Sequence, residues 1–575
     1  MRGGSTLLLR ALLFAAAASA QPATPPPERV TVTVLATTDV HGSIYPYDYY
    51  TRETSARGLA RDATLIEAVR RETKNTLLVD CGDTIQGSPL ESVHQNAVRA
   101  GKTRAADPMM LAMDAMGYDA MVVGNHEFNF GLANLQAARE SARFPWLSAN
   151  TVSDGALPPF APFLVKTVGG VKVAVIGVTT AAVPSWERPE TIRGLRFLPQ
   201  EEGVRRALDA LEPEHPDVVV AAVHAGLDRD PQTGARRPGE PPTENRVWEI
   251  AEQFPQLAAI VYGHTHQREP GRRVGNVLLV QPKNNGADVA RIDLTLVRDG
   301  SSRWRLEKAA SSLMPIERDT VADPRILEIA RPYHEAAERW LDQPVAESAV
   351  ELSGARGRFE DTALVDAIQE VQLHCAQADV SFTALFRPQA RVPRGRVSVR
   401  ELAGLYVYDN ELYVVEGNGR IVREALENAA RFFRSCPEPS CATGPLLDRS
   451  VFGYNFDMAE GVDYDIDLTR PVGQRIVDLT FRGAPLRDEQ PLRIAVNNYR
   501  AAGSNGYTMF RDARIVWRSG RDIRDLMVEY FTRTKRLPAR ADGNWSLLPP
   551  QAVETLAREE AVGARPASGT PNGRH

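Results

Sequence analysis

Five short polar stretches follow apolar runs in the first half of the chain: Asp39-Val40-His41, Gly82-Asp83, Gly124-Asn125-His126-Glu127, His224 and Gly263-His264-Thr265-His266. The third is the densest, with an amide, an imidazole and a carboxylate in adjacent positions. Singly, each has an ordinary reading. An Asp at a strand end often caps a helix, Asn125 could do the same, and a lone His is usually a surface or hydrogen-bonded core residue. Together, Asp39, His41, Asp83, Asn125, His224, His264 and His266 form a mixed nitrogen and oxygen set of the type that binds Zn or Mn. These seven residues are more than one ion requires; if one carboxylate bridges, they suit two. Two ions clamp the attacking and leaving oxygens of a displacement and activate a water, which suits phosphoester hydrolysis.

Such residues need elements that bring them together. Residues 30–36, 76–80, 120–123, 218–223 and 258–262 read as strands, each ending just before one of the polar stretches. Asp39 and His41 are two apart and would share a face in extended backbone. Gly124 lets the chain turn sharply at its strand end. Helical patterns between strands, as at 64–73 and 107–116, imply packed βαβ units. In open α/β sheets, ligand chemistry gathers at the carboxyl ends of strands.

The chain has 575 residues, too many for one core, so two or more domains are expected. It is 43% hydrophobic and 25% charged, as in an ordinary globular protein. A net charge of -5 excludes the bulk basic character that holds polynucleotides, while leaving room for a small anionic ligand. Arg2 and Arg10, an apolar run over 11–18 and Ala18-Ser19-Ala20 read as an export signal over residues 1–20. The run is too short to span a bilayer comfortably. A mature protein starting near Gln21, periplasmic or secreted and without a stable membrane anchor, is therefore expected. In an exported protein, Cys436 and Cys441 suggest a small disulfide-closed loop, while Cys81 and Cys375 read as small hydrophobes.

As an ordered set over residues 30–300, the five stretches resemble the motifs of the calcineurin-like metallophosphoesterases. The resemblance implies a four-layer αββα sandwich over 30–315 and two divalent ions (Mn, Zn, Co or similar). It implies Asp39, His41 and His266 on one ion, Asn125, His224 and His264 on the other, and Asp83 between them. It also places His126 against the phosphate, stabilising charge or protonating the leaving oxygen. Asp323-Pro324-Arg325 opens a helical stretch that reads as a linker over 316–345. The stretches at 378–386, 399–410, 453–457, 461–467 and 497–507 resemble the C-terminal domain of the exported 5'-nucleotidase family, and place an α+β domain over 346–545. Residues 546–575, rich in Ala, Arg, Gly and Pro, read as a disordered tail.

Within that family, the chain is most similar to bacterial periplasmic 2',3'-cyclic-nucleotide 2'-phosphodiesterase/3'-nucleotidases. Asn129 stands three residues after His126, where 5'-nucleotidases have Asp; an amide supports an imidazolium less than a carboxylate does. The resemblance implies that His126 and Asn129 serve catalysis and that Tyr408 and Tyr507 sandwich a nucleobase, with Asn455 and Asp457 beside it and Arg387 a further ligand contact. Gly503-Ser504-Asn505-Gly506 departs from the Gly-Gly-Asp-Gly of many relatives, which leaves base preference open. The expected substrate is a small nucleotide rather than a nucleic acid polymer, and the expected state a monomer. Alternatives are a 5'-nucleotidase or nucleotide-sugar hydrolase, a sulfur-oxidation thiol hydrolase of the same superfamily, or a nucleotide-binding protein with a dead metal site; the complete ligand set argues against the last.

Overall fold

A computed structural model describes residues 28–563, except 156, 230–232, 237–241, 299–302, 409 and 438–439. The expected signal over 1–20, Asp409 and the end of the chain from 564 lie outside the described residues. The N-terminal half is built on two six-stranded sheets. In the first, Glu28–Thr37, Thr76–Asp80, Ala120–Val122 and Trp146–Leu147 run parallel. Asp288–Arg298 and Arg305–Pro315 extend that sheet antiparallel. In the second, Val171–Thr179, Val218–His224, Ala259–Tyr262 and Val277–Gln281 are parallel, with antiparallel strands at both edges.

Strand alternation sorts the side chains into layers. Val32, Val34 and Ala36 point at Val220, Ala222 and Val261 across the space between the sheets. Leu35, Leu78 and Met121 point the other way, onto helical residues such as Leu59, Met109 and Met113. Ala221, Val223 and Ile260 likewise meet Val204, Ala207 and Ile250 on the far side. Successive residues of a strand face opposite sides, so each sheet is buried twice and its strands read as continuous apolar runs. The result is the four-layer αββα sandwich.

The helix Pro324–Leu341 starts on an Asp323 cap whose side chain accepts from Arg325 N. It buries Ile326, Ala330, Ala337 and Leu341 and packs against helices of the first domain and the Val399–Ala403 helix of the second. The C-terminal domain centres on a five-stranded sheet built from Asp457–Glu460, Val380–Ala384, Pro491–Asn497, Glu411–Asn418 and Ile515–Asp522, in that order. A second, four-stranded sheet ends on Trp545–Leu548. Cys436 and Cys441 are joined by a disulfide. The chain from 546 does not begin a structureless tail. Gln551–Gly563 is a helix, because Ala552 and Leu556 fall on one face and bury completely. Among the described residues, no helix is long and apolar enough to cross a membrane.

Candidate metal centre and substrate cavity

The carboxyl ends of both sheets point at one place. Asp39 and His41 follow Glu28–Thr37, and Asp83 follows Thr76–Asp80. Asn125 follows Ala120–Val122, His224 closes Val218–His224, and His264 and His266 follow Ala259–Tyr262. The turns are tight and unusual. Asp39, His41, Asp83, His264 and His266 all take left-handed backbone, with φ between 48° and 71°. Such conformations cost energy in non-glycine residues and cluster at functional sites. Neighbouring glycines make the approach possible. A Cβ on Gly124 would lie 2.3 Å from Asp83 Oδ1, and one on Gly263 would lie 2.0 Å from Thr38 Oγ1.

Glu127, fully buried, ties two of these turns together. Its carboxylate accepts from Gly124 N at 2.6 Å, Asp83 N at 3.0 Å and Thr84 N at 2.6 Å. The sequence shows Glu127 in the motif but not this role, which depends on the two loops being adjacent.

Two clusters of candidate ligands result: Asp39, His41 and His266, and Asp83, His224 and His264, each with donor atoms within 4.8 Å of one another. In the first, the Nε2 atoms of His41 and His266 face each other at 3.1 Å, and Asp39 Oδ1 is 3.5 Å from His266 Nε2. In the second, His224 donates from Nδ1 to Cys81 O at 2.7 Å, so its Nε2 points at Asp83 Oδ2 (3.0 Å) and Asn125 Oδ1 (3.1 Å). His264 Nε2 meets Glu244 Oε1 at 3.1 Å, a carboxylate that the sequence reading missed. Outer carboxylates of this kind orient ligand rings.

The carboxylates and imidazoles perturb one another strongly. Burial alone would raise Asp39, but its hydrogen bond to His266 and the nearby histidines hold it down at about 2. Burial also opposes charge on His224, yet Asp83 outweighs it and raises that ring to about 10. Burial and the neighbouring His266 push His41 down to about 4, so it is a neutral donor. Backbone N–H groups hold Asp39 and Asp83 in place, and the imidazole nitrogens that converge on the same carboxylates fit divalent metal, which displaces shared protons on binding.

His126 lies at the edge of the second cluster. Its backbone N donates to Asp83 Oδ1 at 2.8 Å, its Nδ1 is 2.6 Å from Asn129 Oδ1, and its Nε2 is 4.0 Å from Asp83 Oδ2. The Nε2 also meets the hydroxyl of Tyr499 at 3.1 Å, from the other domain. Tyr499 stacks on Trp186, ring centres 5.6 Å apart. The sequence carries no signal for Tyr499 beyond its place in the 497–507 stretch.

A cavity of about 900 Å³ opens from this centre between the domains. His41, Asp83, His126, His264 and His266 line one part, and Tyr408, Phe452, Tyr454, Asn455 and Tyr499 another. Tyr408 is 43% exposed and meets Phe386 edge-on at 4.9 Å. Phe452 and Tyr454 lie parallel, centres 5.2 Å apart. Arg387 lines the cavity over the ring of Tyr50. Asn455 Oδ1 is buried with no hydrogen-bond partner, as expected of a group kept for a ligand.

Two expected base contacts are corrected. Tyr507 is fully buried and does not line the cavity. Its hydroxyl donates to Asn455 O at 2.9 Å and accepts from Asp457 N at 3.2 Å, while its ring lies under the Arg500 guanidinium at 4.3 Å. Asp457 is 2% exposed and spends both oxygens on Arg500, at 2.7 and 2.9 Å. Tyr507 and Asp457 therefore hold the cavity wall from behind, while Phe452, Tyr454 and Tyr499 are among the aromatics that line it with Tyr408.

Converging strand ends that offer two cation clusters beside an ester-sized cavity define a metal-dependent phosphoester hydrolase. Residues 32–268 match the calcineurin-like phosphoesterase family and residues 344–512 the 5'-nucleotidase C-terminal domain. The chain belongs to the 5'-nucleotidase family of calcineurin-like metallophosphoesterases. It is 27% identical, over 94% of its length, to the trifunctional nucleotide phosphoesterase YfkN of Bacillus subtilis, of which it spans only 40%. It is 29% identical, over 90% of its length and 89% of the relative's, to a 2',3'-cyclic-nucleotide 2'-phosphodiesterase/3'-nucleotidase of Salmonella typhimurium. A crystal structure of a 5'-nucleotidase candidate from Staphylococcus aureus, solved with alpha-ketoglutarate, superposes with a TM-score of 0.77 at 26% identity, over 90% of this chain and all of that one.

Proposed function

We propose that this protein is an exported hydrolase that opens 2',3'-cyclic nucleotides to 3'-nucleotides and then releases the nucleoside and phosphate. The observation that carries the reading is the shared cavity. Candidate metal ligands and exposed aromatic rings line the same space, so a base held against Tyr408, Phe452 or Tyr454 directs its phosphate to the ligand end. Stacking accepts any base, since each has a π-face. Asp39, His41 and His266 would hold one ion and Asn125, His224 and His264 the other, with Asp83 between. Bound divalent ions supply Lewis acidity and an activated water. His126 stands where a leaving oxygen needs a proton.

The name of the Salmonella relative favours the cyclic and 3' substrates, and Asn129 beside His126 agrees with that subgroup. The Staphylococcus structure favours a second reading, hydrolysis of 5'-nucleotides by the same centre. Initial rates on 2',3'-cyclic AMP, 3'-AMP and 5'-AMP with added Mn separate the two. Faster hydrolysis of 5'-AMP than of both others would replace the first reading with the second.

A further inference from the structure

Asn129 poses a problem for His126. A primary amide can turn either its oxygen or its nitrogen to a ring, and nothing in the amide itself decides which. The answer lies on the other side of the amide. Glu187 follows the short helix Val183–Trp186, and its Oε1 accepts a hydrogen bond from Asn129 Nδ2. Ionised, as it is above about pH 7, this carboxyl only accepts, so it draws the amide nitrogen towards itself and leaves Oδ1 facing His126. That oxygen is 2.6 Å from Nδ1, which must therefore carry the hydrogen. The free lone pair, or the exchangeable proton, is then on Nε2, the nitrogen that faces Tyr499, Asp83 and the cavity.

We infer that Glu187 is a positioning residue that fixes the tautomer and the aim of His126 by locking the Asn129 amide between them, an inference that rests on the hydrolase reading above. In this arrangement a carboxylate stands one side chain beyond Asn129 from the ring. It reaches the ring through an amide. Glu187 also accepts from Thr191 Oγ1 at 3.1 Å, but through Oε2, so holding its own turn does not require the bond to Asn129. Burial first, and Glu411 second, raise the Glu187 carboxyl to about 7, and Glu411 is itself paired with Arg188 at 3.0 Å. Replacing the Glu187 carboxylate by an amide thus relieves a like-charge contact rather than breaking the fold.

The test uses Glu187→Gln, alone and combined with Asn129→Asp. Glutamine can offer either end to Asn129, so the lock is lost, whereas Asn129→Asp puts a pure acceptor directly on Nδ1. Nitrogen-15 spectra of histidine-labelled, full-length protein supplied with zinc report the His126 tautomer without any turnover. The expected result is one tautomer in the parent, a mixture in Glu187→Gln, and one tautomer again in the double variant. On 3'-AMP, whose sugar oxygen needs a proton to leave, kcat should fall roughly 10-fold in Glu187→Gln at near-constant KM. On p-nitrophenyl phosphate, whose leaving group needs none, kcat should change less than about 2-fold, and the double variant should recover the rate on 3'-AMP. An unchanged tautomer in Glu187→Gln, an equal fall on both substrates, or no recovery in the double variant would overturn the role of Glu187. Absence of phosphoesterase activity in the parent would overturn the hydrolase reading instead, and the spectra would still decide the tautomer.

Discussion

The ion pair behind the cavity wall makes a demanding prediction. Arg500→Met removes a guanidinium that is 3% exposed. Three hydrogen bonds go with it, two to Asp457 at 2.7 and 2.9 Å and one to Tyr454 O at 2.8 Å. Asp457 is left charged, buried and unpaired, which costs about 3–5 kcal/mol. Loss of the cation from the face of Tyr507 adds roughly 0.5–2 kcal/mol. Urea unfolding followed by tryptophan fluorescence should show a loss of at least about 3 kcal/mol. The double variant Arg500→Met/Asp457→Leu removes the orphaned charge and should regain most of that stability, since well-packed apolar pairs replace buried ion pairs at little cost. Because Arg500 also holds the Tyr454 carbonyl, the KM for a nucleotide should rise in Arg500→Met. A loss under about 1 kcal/mol, or a double variant no better than the single one, would refute the claim that this pair supports the wall.

Tyr408→Ala should raise KM for 3'-AMP by an amount equivalent to about 1–3 kcal/mol while sparing p-nitrophenyl phosphate, and Tyr507→Ala should instead lower the urea midpoint. Asp83→Asn should lower the divalent metal retained through gel filtration, measured by plasma mass spectrometry, from two ions per chain to one or none; two retained ions would remove Asp83 from between the sites. Burial, together with neighbouring carboxylates, raises Asp366 to about 9 and Glu460 to about 8. The folded chain therefore keeps protons that the unfolded chain releases near pH 4, so this contribution is full below about pH 4 and falls as pH rises towards 8 to 9. Asp366→Asn should flatten that part of a melting-temperature profile against pH.

The candidate ligands were legible because each stands at the end of an apolar run, where a polar residue has no packing reason to be. The sheets were legible for the same reason, since strands buried on both faces carry unbroken runs of Val, Ile, Leu and Ala. The base wall was less so. Tyr499 and Tyr507 share one tyrosine-containing stretch, and which of them faces outward depends on the helix Asn498–Ala501 and the left-handed Asn505 (φ 58°) between them. Tyr499 meets His126 across 373 residues of chain and Asn129 meets Glu187 across 58, so neither contact leaves a local pattern. The helix Gln551–Gly563 was missed for a different reason. Composition was weighed there in place of the spacing of Ala552 and Leu556, which is helical.

Each ligand cluster draws on both sheets: Asp39 and His41 from the first with His266 from the second, and Asp83 from the first with His224 and His264 from the second. His41 and His266 are 225 positions apart. An ion bound there would close a very long loop, as a cross-link does, and closing long loops restricts the unfolded chain most. Unlike a disulfide, this clasp opens and closes with the free metal concentration, and its strength grows as the logarithm of that concentration over the dissociation constant. Survival of the protein among proteases would then depend on the metal content of its surroundings. A chelator should therefore expose the seam between the sheets to cleavage, since each cluster joins the first sheet to the second.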